Sequence, residues 1–213
     1  MPHIEINHDK EPIRLFKSDF LEFFTHITPT AVLIIWSPVV IFFITRAILN
    51  ENLFANPVLI PTAILLGIVF WSFTEYILHR FLFHFRPKNA AQERIAFLFH
   101  GVHHAQPQCK TRLVMPPAVS IPMALIFYFL FWLIFNQWLN IGYWADPLFA
   151  GFMIGYLAYD LIHYATHHLP LHGKVLKFLK RHHMYHHMRT PDARFGVSSA
   201  FWDIVFKTLP ADH

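Results

Sequence analysis

The chemistry of this chain is concentrated in histidine. The octapeptide RHHMYHHM, residues 181–188, holds four histidines in eight positions. Thirteen of the seventeen histidines fall in two windows, 79–104 and 163–187. Their spacing has a repeated form. His79 and His84 make H-x4-H, and His100, His103 and His104 make H-x2-H-H. His163 and His167 make H-x3-H, and His183, His186 and His187 make a second H-x2-H-H. Residues at i, i+3 and i+4 share a helix face, so each H-x2-H-H is expected to present three imidazoles to one point. His79 and His84 would lie about 140° apart on an undistorted helix. Either they serve different metals or the helix ends between them.

Ten imidazoles from four segments are too many for one ion, and two ions with five imidazoles apiece is the natural arithmetic. Imidazole suits zinc, copper, iron and nickel. The single cysteine, Cys109, excludes a disulfide framework, a thiolate cage and an iron–sulfur cluster. A pH sensor would use histidine too, but it does not require a repeated H-x2-H-H. His3, His8, His26 and His213 lie outside the pattern and are expected not to be ligands, while His168, His172 and His182 rank below the ten.

These side chains need elements to position them, and the rest of the chain is greasy. It is 55% hydrophobic and 14% charged over 213 residues, where soluble domains carry roughly a quarter charged. Four apolar stretches, 30–49, 58–78, 118–135 and 147–165, each suit a membrane helix. Both histidine windows begin where such a stretch ends. The expected fold is all-α: about four transmembrane helices under a cytoplasmic, histidine-rich helical cap that holds a di-metal site. One domain covers 1–213, with an N-terminal arm at 1–29 and the membrane and catalytic region at 30–213. Within the arm, IRLFKSDFLEFF (13–24) alternates apolar and charged positions as an interfacial helix would, with an amphipathic helix packed on the catalytic region as the alternative. The polar N-terminus does not read as a signal peptide.

Lys and Arg counting sets the orientation. The arm, segment 79–117 and segment 166–213 carry sixteen positive residues, and the opposite side carries only Arg46. The termini and the site should therefore be cytoplasmic. The same charges fit membrane orientation better than nucleic acid, which is not an expected partner.

The text around the histidines resembles a known family. The stretches EYILHRFLFHF, FHGVHHAQPQCKTRLVMPP, YDLIHYATHH and HHMYHHMRTPDARFGVSSAFWDIVFKTL, from about Phe70 onward, resemble the fatty acid hydroxylase superfamily of membrane di-iron oxygenases. RLVMPP and FGVSSAFWD are most similar to fatty acid 2-hydroxylases acting on sphingolipid acyl chains. The resemblance implies an O2-dependent monooxygenase acting at the 2-position of a fatty acid or sphingolipid N-acyl chain. It also implies ligation of two iron ions by His79, His84, His100, His103, His104, His163, His167, His183, His186 and His187, with zinc as a substitute in isolated protein. No catalytic residue beyond the ligands is expected. Sterol or carotenoid oxidation and desaturation are alternatives within the superfamily. A metal transporter would want ligands at midspan, where histidine is lacking, and a zinc hydrolase would want fewer of them.

Many family members carry an N-terminal cytochrome b5-like domain; here about thirty residues precede the first span. Electrons are then expected from a separate cytochrome b5- or ferredoxin-type carrier with its reductase, docking on Lys174, Lys177, Lys180 and Arg181. Glu75, Asp160 and Asp203 are candidates to orient imidazole N–H groups, with capping as the plain alternative. Phe152, Met153, Tyr156 and Tyr159 are candidates to line the lipid's path, with interhelical packing as theirs.

Overall fold

The computed structural model describes residues 6–9 and 11–210, within which all regular structure is helical. In chain order the helices are α1 (Asp19–Phe23), α2 (Pro29–Ile48), α3 (Glu51–Phe54), α4 (Leu59–Phe83), α5 (Ala90–Ala96), α6 (Val102–Ala105), α7 (Pro117–Trp138), α8 (Gly142–His168), α9 (Lys174–Met188) and α10 (Phe201–Val205). Helices α2, α4, α7 and α8 are long and apolar enough to cross a membrane, and they match the four apolar stretches of the sequence. Outward-facing Ile34, Ile41, Leu65, Leu125 and Phe129 are exposed, as lipid-facing side chains are.

Helix α8 is the centre of the bundle, packing along α4 and α2. The α4–α8 approach is backbone to backbone. A Cβ at Gly67 would fall on the Leu148 carbonyl oxygen, and one at Gly151 on that of Ile64. Small residues at such crossings let membrane helices pack by van der Waals contact. Above these glycines, Trp71 meets Phe152 edge-on at 5.0 Å and Tyr156 at 5.3 Å. Pro38 and Pro122 sit inside α2 and α7 without ending them.

At one end of the bundle, Arg46 of α2 pairs with Asp146 of α8 at 3.2 Å. The histidines lie at the other end, where α4 and α8 finish and α5, α6 and α9 form a cap. The expected interfacial helix over 13–24 is only partly formed, since helix covers Asp19–Phe23 alone. The cause is competition for the preceding N–H groups. The Glu22 carboxylate accepts from Leu15 N at 3.0 Å and Phe16 N at 2.8 Å, and Gln106 Oε1 accepts from Ile13 N at 2.8 Å. Residues 13–16 thus run unwound against the cap, tied by side chains rather than by a helical ladder.

Candidate metal centre

The ten motif histidines gather into two groups of five. His79, His84, His100, His104 and His186 form the first, and His103, His163, His167, His183 and His187 the second; in each, one ring nitrogen per residue lies within 4.8 Å of the others. In the first group Nε2 of His79 is 3.1 Å from that of His100, and Nε2 of His186 is 3.0 Å from that of His84. In the second, His103 Nε2 is 3.0 Å from those of both His163 and His187, and His183 Nε2 is 2.8 Å from His167 and 3.1 Å from His187. A neutral Nε2 offers a single in-plane proton or lone pair, so it cannot serve two such neighbours well. An ion at the centre accepts every lone pair at once. The residues present therefore fit a metal ion in each group.

Each H-x2-H-H was expected to aim three imidazoles at one point, and the structure corrects this. His100 and His104 enter the first group while His103 enters the second; His183 and His187 enter the second while His186 enters the first. The helical repeat explains the split. Positions i and i+4 stand about 40° apart on the helix, whereas i+3 falls about 100° from i+4. Each motif so gives two ligands to its own group and one to its neighbour. His79 and His84 also share a group, which rules out different metals for the two. Of the two alternatives the spacing left open, the structure takes the other, the helix ending at Phe83 just before His84. The last turn of α4, Leu78–Phe83, is π-helical, and His84 N donates to His79 O at 3.1 Å in the i to i+5 pattern. Widening the turn brings two residues five apart to the same ion. A second π turn, Phe97–Gly101, carries His100.

The first group is held from behind by backbone. The His79 Nδ1–H donates to Phe195 O at 2.5 Å, and the His186 Nδ1–H to Ala193 O at 2.7 Å. Both carbonyls fix the tautomer that leaves Nε2 with its lone pair. Two carboxylates shape that loop without touching the group. Glu75 accepts from Val197 N at 2.6 Å, Ser198 N at 2.8 Å and the Ser198 hydroxyl. Asp203 accepts from Phe195 N and Gly196 N at 2.8 Å each, from Thr208 at 2.7 Å, and from His182 Nε2 at 3.1 Å. Burial pushes the Asp203 carboxyl up, but these four donors outweigh it and hold it below its ordinary range. The expectation that Glu75, Asp160 and Asp203 orient ligand N–H groups is thus corrected. Glu75 and Asp203 act through the loop, and Asp160 accepts from Met115 N at 3.3 Å instead.

Burial, followed by neighbouring imidazoles, holds His84, His100, His103, His183, His186 and His187 well below the usual histidine range, and His104 down at about 3. Neutral imidazoles are the ligand form. His182 is spent on Asp203, and His168 lies against Tyr164 with ring centroids 4.7 Å apart and planes tilted by 47°; neither of these two, nor His172, His8 or His26, joins a group. His3 and His213 lie outside the described residues.

A cavity of about 340 Å³ reaches both groups, with His100, His103 and His163 in its wall. Its other walls include Leu15, Phe16, Phe83, Leu98, Phe99 and the run Arg112–Pro116. Of the four residues expected along the lipid's path, only Tyr159 lines it. Phe152, Met153 and Tyr156 are buried in the bundle core, because α8 turns that face to α2 and α4. The amphipathic pattern of 13–24 had left packing on the catalytic region open as an alternative, and the arm does lie there. The Arg112–Pro116 wall was missed, its one visible signal being RLVMPP, noted for its likeness and given no task.

A helical membrane bundle capped by two five-histidine groups beside a lipid-sized cavity defines the class of a histidine-rich membrane metalloprotein. Residues 64–208 match the fatty acid hydroxylase family, and the chain belongs to it. It is 42% identical over 201 residues to the dihydroceramide fatty acyl 2-hydroxylase FAH1 of Arabidopsis thaliana, covering 94% of this chain and 81% of that one. To the fatty acid 2-hydroxylase of Mus musculus it is 36% identical, covering 93% of this chain and 57% of the relative. Among solved structures, full-length scs7p, with only its hydroxylase domain visible, superposes with a TM-score of 0.81 at 37% identity, over 91% of this chain and 70% of that one.

Proposed function

We propose that this protein is a non-haem di-iron monooxygenase that hydroxylates a lipid acyl chain at the 2-position of a fatty acid or sphingolipid N-acyl chain. The observation that carries the reading is the largely apolar cavity whose wall contains imidazoles of both five-histidine groups. The names of the relatives, which include fatty acyl 2-hydroxylases, favour the acyl chain and its second carbon.

Iron held by the ten histidines would supply the O2 activation that an unactivated C–H bond demands, since no side chain can do it. The balance is R–H + O2 + 2e⁻ + 2H⁺ → R–OH + H2O. The chain's own residues do the rest. In the first group His186 and His79 are oriented by Ala193 O and Phe195 O, and the second group's imidazoles are placed by the packing of α8 on α9. Phe83, Leu98, Phe99 and Val102 exclude water from the acyl chain beside them. Zinc is expected in the same imidazoles when protein is isolated without iron.

The two electrons come from a cytochrome b5- or ferredoxin-type carrier with its reductase. Lys174, Lys177 and Arg181 at the exposed start of α9 offer it a basic dock, with an on-rate that falls with salt. The sixteen-to-one distribution of Lys and Arg supports a site and termini on the cytoplasmic side. The test is expression followed by lipid analysis. The expected result is 2-hydroxy acyl chains that require O2, iron and a carrier; products hydroxylated elsewhere, or desaturated, would overturn the assigned position.

A further inference from the structure

The two groups differ in how deeply they lie. All five histidines of the first are buried, whereas His167 and His187 of the second are partly exposed. Neither of these two lines the lipid cavity, which touches the second group through His103 and His163 instead. The second group therefore has two sides, one toward the acyl chain and one toward the outside. Basic side chains rim the outer side. Lys180 of α9 donates from Nζ to Leu169 O at 2.9 Å, two residues beyond His167. Lys110, exposed on the loop after α6, lies near enough to His168 to act on its charge, as Lys180 does. On α9, Lys180 and His187 are seven positions apart, which sets them about 20° from each other around the helix. Residues 161–191 hold five Lys or Arg and no Asp or Glu, so nothing in that stretch offsets the charge.

We propose that an acidic one-electron carrier protein docks on this face, over His167 and His187 and between Lys110 and Lys180. The inference deepens the hydroxylase reading and rests on it, because that reading is what requires a carrier. Depth and charge select the face together. Electron transfer slows steeply with each added layer of protein, so a carrier belongs where metal ligands come nearest the surface. The first group offers no exposed ligand and is backed by Ala193 and Phe195. A wall of one sign draws an acidic partner and turns away a basic one. Lys174, Lys177 and Arg181 continue the patch along the exposed side of α9, so they steer the carrier while Lys110 and Lys180 seat it. Each docked carrier gives up one electron, two visits supply the two electrons of the balance above, and the reductase restores the carrier between them. Lipid and electrons thus approach the second group from different sides, and neither blocks the other.

The test measures binding of a soluble, acidic cytochrome b5-type domain to the full chain in an uncharged detergent, where no lipid headgroup contributes charge and no turnover is needed. Lys110→Glu reverses one charge of the seat at an exposed loop position, away from every ligand and helix. It should weaken the carrier by roughly tenfold at low salt, with the difference shrinking as salt rises. Lys110→Arg should bind as the wild type does. Lys88→Glu, the same charge change at an exposed lysine before α5, should have little effect. Carbodiimide should cross-link carboxylates of the carrier to Lys110. Wild-type affinity in Lys110→Glu, an equal loss in Lys88→Glu, or cross-links that avoid Lys110 would overturn the proposal. An effect of Lys110→Glu that appears only in anionic bilayers would assign the face to lipid headgroups and overturn it as well. Hydroxylation that proceeds with no carrier at all would instead count against the carrier-dependent reading on which the proposal rests.

Discussion

The two histidine groups are built to one plan and supported in different ways. Each takes a pair from the end of a membrane helix, a pair from one H-x2-H-H and a single histidine from the other. The second group takes its helix pair, His163 and His167, from regular α-helix, where four residues return to the same face. The first group takes His79 and His84 from a π turn, where five do. Support differs too. The first is gripped through Phe195 O and Ala193 O, behind which stand Asp203 and Glu75. Nδ1 of His84 in the first group lacks a partner among the described residues, as does Nδ1 of His103, His163, His183 and His187 in the second. Hydrogen bonds to backbone thus orient two of the first group's five imidazoles, His79 and His186, and none of the second group's, which are placed by how α8 and α9 pack. Two equivalent ligand sets need not have equivalent affinities.

The largest effect should come from the ligands. His186→Ala and His103→Ala each remove the single histidine lent across groups, and activity should fall more than about 100-fold, beyond what losing a supporting residue costs. Activity within a few-fold of wild type in either variant would break the two-group assignment. Next come the carboxylates. Asp203→Asn and Glu75→Gln should lower metal affinity at the first group by about 10- to 100-fold and spare the second. Equal losses at both, read by metal titration, would show that the loop supports the whole cap.

Acid should act on both groups through the same linkage. The imidazoles outside the spans are held down by burial, so below about pH 6.5 the unfolded chain binds more protons than the folded one. Stability of the metal-free protein is then fully present above that pH and lost as pH falls, by up to about 1.4 kcal/mol per unit for each imidazole. Thermal denaturation across pH 5 to 7.5 reads the slope, and a flat profile would contradict the burial argument. The smallest effect belongs to the far end of the bundle. Arg46 is half-exposed, so Arg46→Gln should cost no more than about 1 kcal/mol and leave metal content alone.

How far the sequence carried follows from which features have a fixed period. The four spans are runs of apolar residues, and their composition alone locates them. The ten histidines stand out by type and spacing, and all ten converge. Their partition does not follow from a rule that treats i, i+3 and i+4 as one face, because two adjacent groups divide that face. The pairing of His79 with His84 needed a π turn, which no residue type announces. The roles of Glu75 and Asp203 depended on where residues 193–199 return, over a hundred positions along the chain from Glu75. The unwound arm was hidden by side chains that took its N–H groups: Glu22 from nearby and Gln106 from the cap.

Metal stoichiometry tests the central claim most directly. The full chain, purified without oxygen and loaded with iron, should hold two ions. His84→Ala, confined to the first group, and His167→Ala, confined to the second, should each keep one and lose the other. A wild-type protein that binds a single ion, or variants that both retain two, would contradict a centre made of two five-histidine groups.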